Sequence, residues 1–217
     1  MVKIFGKYWK SFLVDGLLNT LYLSLIAVFF GSVIGAILAL VKKSKIKPLG
    51  WLVTAFVEII RGTPMLLQLY IGVFLLPLLL PFLSLNDFWS VAITIILNSA
   101  AYVSEIIRSG IEAVDKGQTE AARSLGLSST TTMCDIVLPQ AVKNILPALG
   151  NEFITIIKET SLAATFFVGE LMTIYKSVSG YTHATIECFL IVGMIYFVVN
   201  FILSKLLKLV ERKMKHA

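Results

Sequence analysis

The chain has 217 residues, 57% of them apolar and only 15% charged, whereas a soluble domain runs about 45–50% apolar and 25% charged. The apolar excess lies in runs long enough to cross a bilayer, which excludes an ordinary soluble fold and makes this an integral membrane protein. The net charge of +6 is spread over loops and termini, a pattern that suits anionic lipid headgroups rather than nucleic acid.

Residues 1–16 hold Lys3, Lys7 and Lys10 among Tyr8, Trp9 and Phe12. This predicts an N-terminal interfacial segment with snorkelling lysines and aromatic anchors. A first span follows over 17–41. It is too long for a signal-peptide core and has no convincing cleavage site, so it is expected to be retained. Ala27, Gly31, Gly35 and Ala39 recur every four residues in it, a stripe against which another helix can approach closely. Lys42, Lys43, Lys45 and Lys47 then make a basic loop, with Pro48 and Gly50 breaking the helix.

A second span starts near Trp51 and reaches the Pro77–Pro81 region. It is interrupted at Arg61-Gly62-Thr63-Pro64, because Pro64 lacks an amide hydrogen and disturbs the preceding turn. The break lies about 20 Å along the helix, near the middle of the bilayer. One long broken span is the preferred reading, two short spans the other. Residues 77–87 form an outer connection without Lys or Arg. A third span covers 88–110 and carries Asn98, Tyr102, Glu105 and Arg108. A fourth is expected over 145–169 with Asn151, Glu152, Lys158 and Glu159. Residues 170–185 read as a loop with an exposed His183, and a fifth span over 186–207 ends in a basic tail. Residues 17–217 thus form one all-α transmembrane domain.

With five spans the termini lie on opposite sides. If the 42–47 loop, the 108–143 region and the tail face the cytoplasm, they hold most of the 19 lysines and arginines. Lys3, Lys7, Lys10 and Lys176 fall on the other side. The charge bias therefore puts the N-terminus outside and the C-terminus inside. Cys134 and Cys188 lie at different depths and show no metal-ligand spacing.

Three spans bring polar groups to a similar depth, where charge costs roughly 2.5–3.5 kcal/mol on insertion scales. Asn98, Tyr102 and Glu105 recur at i, i+4, i+7, and Glu152, Thr155 and Glu159 at i, i+3, i+7, each set on one helical face. These stripes and the broken helix predict a midplane pocket. Arg61 and the backbone around Thr63 would take a carboxylate. Glu159, with Asn98, Tyr102 and Thr155, would take an ammonium or a cationic side chain. The alternative is purely structural pairing, Glu58 with Arg61 and Glu159 with Lys158 or Arg108.

The segment 111–143 is polar, yet it separates apolar spans. It contains Glu120-Ala121-Ala122-Arg123-Ser124-Leu125-Gly126 and, nine residues on, Ile136-Val137-Leu138-Pro139. Ala121, Ala122 and Leu125 fall together on a helix. Gly126 suits a left-handed helix end. Ser128 can cap a second short helix that Pro139 closes. This pattern of EAA, three residues, G, nine residues and I-x-L-P resembles the cytoplasmic coupling loop of permease subunits from binding-protein-dependent ABC importers. The stretch Val57-Glu58-Ile59-Ile60-Arg61-Gly62-Thr63-Pro64, followed by Gln68, resembles the second span of the polar amino-acid group of that family, which takes up histidine, glutamine and arginine.

The resemblance covers nearly the whole chain. It implies a type I permease fold of five transmembrane helices with a cytoplasmic coupling helix, in the bacterial inner membrane. It assigns Glu120, Ala121, Ala122, Leu125 and Gly126 to ATPase docking. It also implies a second permease subunit, ABC ATPase subunits that bind ATP and Mg, an extracytoplasmic substrate-binding protein, and a basic or polar amino acid as cargo. The chain has no GxxxxGK[ST], HExxH or GxSxG, so no enzymatic activity or cofactor of its own is expected. A secondary transporter or channel using Glu159 or Glu105, and a membrane anchor for soluble partners, are the competing readings.

Overall fold

The computed structural model describes residues 1–42 and 46–216, with side chains to Met214. Lys43, Lys45 and the Lys215 side chain of the expected basic segments lie outside the described residues. Every regular element among the described residues is helical.

Helix α1 (Val2–Lys10) bends at Tyr8, where φ is −116° and ψ is 16°. It passes through a wide π turn (Ser11–Leu17) directly into α2 (Leu18–Lys42). The interfacial segment and the first span are therefore one helical run. The predicted stripe of Ala27, Gly31, Gly35 and Ala39 is buried and packs against α5 (Asp87–Glu112). A Cβ at Gly31 would stand 2.6 Å from Ser99 Oγ, and one at Gly35 2.8 Å from the Ala100 carbonyl oxygen.

Helices α3 (Lys47–Gly62) and α4 (Met65–Leu79) meet at the expected break and are bent by 114° there. Thr63 is extended (φ −117°, ψ 148°) because the Pro64 ring excludes helical geometry from the residue before it. Gly72 brings α4 onto α5, where an added Cβ would overlap Thr94 Oγ1. Asn86 caps α5 by accepting from the Trp89 amide at 3.0 Å. In its most apolar stretch α5 is 61% buried, against 17% for α10 (Thr185–His216), so α5 is central and α10 peripheral.

Helix α6 (Lys116–Ser124) and the single turn α7 (Ser129–Thr131) carry the polar segment. A second π turn (Thr132–Val137) then leads into α8 (Leu138–Glu159) without a break. Pro139 does not close the second helix as expected. It follows the wide turn, which has already displaced the hydrogen bond that a proline would forfeit. The fourth span starts seven residues early for this reason and ends at Glu159, followed by a 3-10 segment (Thr160–Phe166).

The expected loop after it is also helical: α9 spans Leu171–Thr182. Its cap is the Glu170 carboxylate, which accepts from the Met172 amide at 2.7 Å and the Thr173 amide at 2.6 Å. Glutamate lies outside the residue set that announces a helix start in sequence. Leu171 and Val178 of α9 pack with Phe12, Cys188 and Ile191. His183 is exposed and left-handed (φ 56°) and ends α9. Helix α10 continues past Leu207 through the basic tail.

By length and composition the α1–α2 run, α5 and α10 can each cross a membrane, and the α3–α4 pair, bent by 114°, counts as a fourth crossing if it is one broken span rather than a re-entrant loop. Helix α8 has 22 residues, about 33 Å. Its Glu152, Lys158 and Glu159 make it more polar than the others, and neighbours enclose it: Gly110 of α5 sits against Ile145, and Gly150 against Leu207 of α10.

Candidate functional site

Two places combine polar groups with access. The first is the loop. Asp115 starts α6 by accepting from the Gly117 amide at 2.7 Å. Its end is built around Gly126 at φ +83°. The Gly126 amide donates to the Arg123 carbonyl at 3.0 Å and the Leu127 amide to the Ala122 carbonyl at 3.2 Å. Such a paired closure needs a left-handed residue, which glycine supplies without steric cost. Ser128 then caps α7 through the Thr131 amide at 3.1 Å, as its position predicts.

The helical face shared by Ala121, Ala122 and Leu125 divides in its contacts. Ala122 is buried, while Glu120, Ala121 and Gly126 are exposed and Leu125 is 83% exposed. A large apolar side chain thus stands free at the end of a polar helix. Near α6, a cavity of about 750 Å³ is lined by Asp115, Gln140, Lys143 and Asn144 of the loop side and Glu211 and Met214 of α10.

The second place is where α2, α3 and α5 meet near the loop end. One carboxylate, Glu105, holds three cations. Its Oε1 accepts from Lys42 Nζ at 2.6 Å. Its Oε2 faces Arg108 Nη2 at 2.9 Å and Arg61 Nη1 at 3.5 Å. Arg108 also grips Glu112. The Arg61 guanidinium lies 5.6 Å from the Tyr102 ring centroid, in cation–π range. Arg61, Tyr102 and Glu105 line a cavity of about 340 Å³ together with Ser109, Asn144 and Ala148. Glu58 is therefore not the partner of Arg61, nor Glu159 that of Arg108; Arg61 turns across to Glu105 of α5, and Arg108 pairs with it one turn away on the same helix.

The break in α3–α4 is stitched by a residue that sequence reasoning did not place in the site. Gln68 is buried, and its Nε2 donates to the Ile60 carbonyl at 2.7 Å, the Thr63 carbonyl at 3.1 Å and Thr63 Oγ1 at 2.9 Å. Its Oε1 accepts from Asn98 Nδ2 at 2.8 Å. Thr63 Oγ1 donates to the Ile59 carbonyl at 2.8 Å. In hydrocarbon no water is available for carbonyls freed by a break, so side chains must take that role. A glutamine four residues after a proline, facing an asparagine one span later, is the signal that points to it.

The structure thus joins Arg61 with Tyr102, and Thr63 with Asn98 through Gln68. Asn98 is buried and turned to Gln68. Glu159 and Thr155 are half-buried on α8 and line neither of these cavities. Glu152, on their stripe, is 8% exposed. Among the described residues, no ion pair reaches Glu152 or Glu159.

Comparison with known proteins places this geometry. Residues 31–216 match the family model described as binding-protein-dependent transport system inner membrane component. The arginine transport system permease protein ArtQ of Bacillus subtilis (strain 168) is 43% identical over 204 residues, 94% of this chain and 93% of that protein. The putative glutamine transport system permease protein GlnP of Rickettsia conorii (strain ATCC VR-613 / Malish 7) is 41% identical over 99% of this chain and 97% of its own length. A crystal structure of an amino acid ABC transporter with histidines superposes with a TM-score of 0.89 at 41% identity, covering 95% of both chains. An inward-facing structure of the MetNI methionine ABC transporter shares the fold at 19% identity, with a TM-score of 0.70 over 92% of this chain and 96% of that one.

Proposed function

Since the chain belongs to the family of binding-protein-dependent transport system inner membrane components, we propose that it is the transmembrane subunit of an ATP-driven importer of basic or polar amino acids. The carrying observation is the loop from α6 to α7. It ends in an intact left-handed glycine turn and leaves Leu125 exposed, on a chain alike along nearly its whole length to permeases named for arginine and glutamine. Glu120, Ala121, Ala122, Leu125 and Gly126 are the proposed docking face for an ABC ATPase subunit. That partner binds ATP and Mg and carries out hydrolysis. A second permease subunit completes the path, an extracytoplasmic binding protein delivers the amino acid, and membrane lipid surrounds the spans.

The cargo's carboxylate is assigned to Arg61, with Tyr102 holding the guanidinium over the cavity. Thr63 and Asn98 support this site through Gln68. Glu159 lies roughly 16 Å along α8 from Ala148 at that cavity, so it and Thr155 are assigned a separate contact with the cationic side chain elsewhere on the path. Uptake into vesicles holding the permease, a P-loop ATPase and a binding protein should require ATP and be specific for such amino acids. Uptake that persists without the ATPase would return the secondary transporter to first place.

Orientation follows the same reading, with the N-terminus outside and the loop inside. Cys134 is exposed in the loop and Cys188 is buried, so the native chain carries its own probe. A membrane-impermeant maleimide should label Cys134 only in inside-out vesicles. A cysteine placed at Ser84, in a Cys134→Ser background, should be labelled only in right-side-out ones. The reverse pattern would overturn the orientation.

Among the described residues no ion pair within 4.0 Å reaches Glu159, although the neighbouring Lys158 acts on its charge, and we assign that charge to the cargo. Glu159→Gln keeps the shape and removes the charge. It should weaken uptake of arginine by about tenfold or more, since hydrogen bonds to a charged group contribute roughly 1.5–3 kcal/mol. Glutamine uptake should change less. An equal loss for both amino acids would assign Glu159 a structural role.

A further inference from the structure

We propose that Glu105 is an internal stand-in for the cargo's carboxylate: it holds Arg61 while the site is empty and yields it when an amino acid enters. The proposal rests on the assignment of Arg61 to the cargo's carboxylate and adds a residue that this assignment does not contain.

The contacts of Glu105 are graded. Lys42 stands at 2.6 Å and Arg108 at 2.9 Å, while Arg61 is farthest at 3.5 Å. The Arg61 side chain is 43% exposed and Arg108 40%, against 18% for Lys42, so distance rather than exposure separates Arg61 from Arg108. The link to Arg61 is thus the longest of the three. Breaking it strands no charge, because Glu105 keeps two cations and Arg61 gains a carboxylate of the same chemistry. Tyr102 holds the guanidinium by its face, which leaves the N–H donors at the edge free to change partners.

Space and charge agree with an exchange. The cavity of about 340 Å³ beside Arg61, Tyr102 and Glu105 is within the range of small-molecule sites, roughly 300–1,000 Å³. Two guanidiniums and one ammonium gather around Glu105, of which Arg61 lines the cavity, with Glu112 engaged on Arg108. Three cations face two carboxylates there, so the carboxylate of an amino acid would be the third anion and would balance the cluster.

The exchange also has a mechanical consequence. Arg61 lies two residues before the extended Thr63–Pro64 break, and Glu105 lies on α5, which runs on to Glu112 just ahead of α6. Release of Arg61 removes the ion pair between α3 and α5, which stay packed through Val53, Val57 and Ala101, while Lys42 still ties α2 to α5. Glu105 is therefore a positioning residue that reports occupancy of the cavity toward the loop.

The test is equilibrium binding of radiolabelled arginine and of argininamide, which lacks the carboxylate, to permease and ATPase in nanodiscs. The binding protein is omitted so that only the membrane site contributes. Glu105→Gln should tighten arginine by about tenfold and leave argininamide unchanged. Glu105→Asp keeps a negative charge for Lys42 and Arg108 but draws it back from all three cations, so that the contact with Arg61, already the longest at 3.5 Å, is lost first. It should tighten arginine by a smaller factor, and it decides the matter if Glu105→Gln fails to assemble. Unchanged or weaker arginine binding in the assembled variants would overturn the proposal. Arg61→Gln separates the two ideas. If it binds arginine normally, the assignment of Arg61 itself has failed. If it loses arginine while the Glu105 variants bind as the native protein does, only the stand-in has failed.

Discussion

Gly35→Leu is expected to leave little or no folded permease in the membrane. Gly35 lies in the close packing seam where α2 meets α5. An added Cβ there would stand 2.8 Å from the Ala100 carbonyl oxygen and 2.8 Å from Val103 Cβ. One obstacle is backbone, so it cannot be relieved by a rotamer change, and leucine adds three further carbons. Overpacking costs about 1–3 kcal/mol where side chains can adjust and more where they cannot. Membrane helices lack a hydrophobic drive toward one another, so close packing of small residues carries much of their association. Thermal unfolding monitored by size-exclusion chromatography in detergent should show Gly35→Leu aggregating at temperatures the native protein survives. Gly193→Leu on α10, where an added Cβ meets nothing within 4 Å, is the control and should match the native protein. Equal behaviour of the two variants would show that the α2–α5 seam tolerates separation.

Gly126→Val should leave the protein folded and abolish most transport. An added Cβ at Gly126 meets nothing within 4 Å, so space is not the issue. The issue is the backbone at φ +83°, which costs an L-residue roughly 1–2 kcal/mol and suits a β-branched one least. Valine would drive the turn toward another conformation, opening the Leu127–Ala122 and Gly126–Arg123 hydrogen bonds and re-aiming Leu125. Each 1.4 kcal/mol is about tenfold in a docking equilibrium. Transport and ATPase copurification should therefore fall together by about tenfold or more, with the unfolding temperature nearly unchanged. Asparagine visits left-handed geometry more readily, so Gly126→Asn should retain much of the activity. Valine and asparagine variants of equal activity would argue that the turn is only a connector.

The stripe on α2, the break at Thr63–Pro64, the extent of α5 and the turn at Gly126 were all legible in the sequence. Each is set by local chemistry: small residues at helical spacing, a ring that forbids helix before it, a long apolar run, a glycine with positive φ. The unread parts depend on distant partners. Helix α9 is held by packing on Phe12, far away along the chain, and by a glutamate cap. Pro139 looked like a stop because the π turn before it has no sequence mark. At the candidate site, helical periodicity placed Asn98, Tyr102 and Glu105 together. It could not show that Asn98 turns to Gln68, or that Glu105 rather than Glu58 takes Arg61. Those choices depend on which neighbour each face of α5 meets.

Burial is distributed unevenly between two helices of similar length. Helix α5 is enclosed on most sides, while α10 presents most of its surface outward. Random substitution should therefore strike them very differently. On α5 few positions accept a change of size, and a new side chain at Ser99, Ala100 or Val103 collides with α2. On the outer face of α10, one apolar residue serves about as well as another. An engineer seeking a site for a fluorophore or crosslinker therefore has most latitude on the outward face of the last helix.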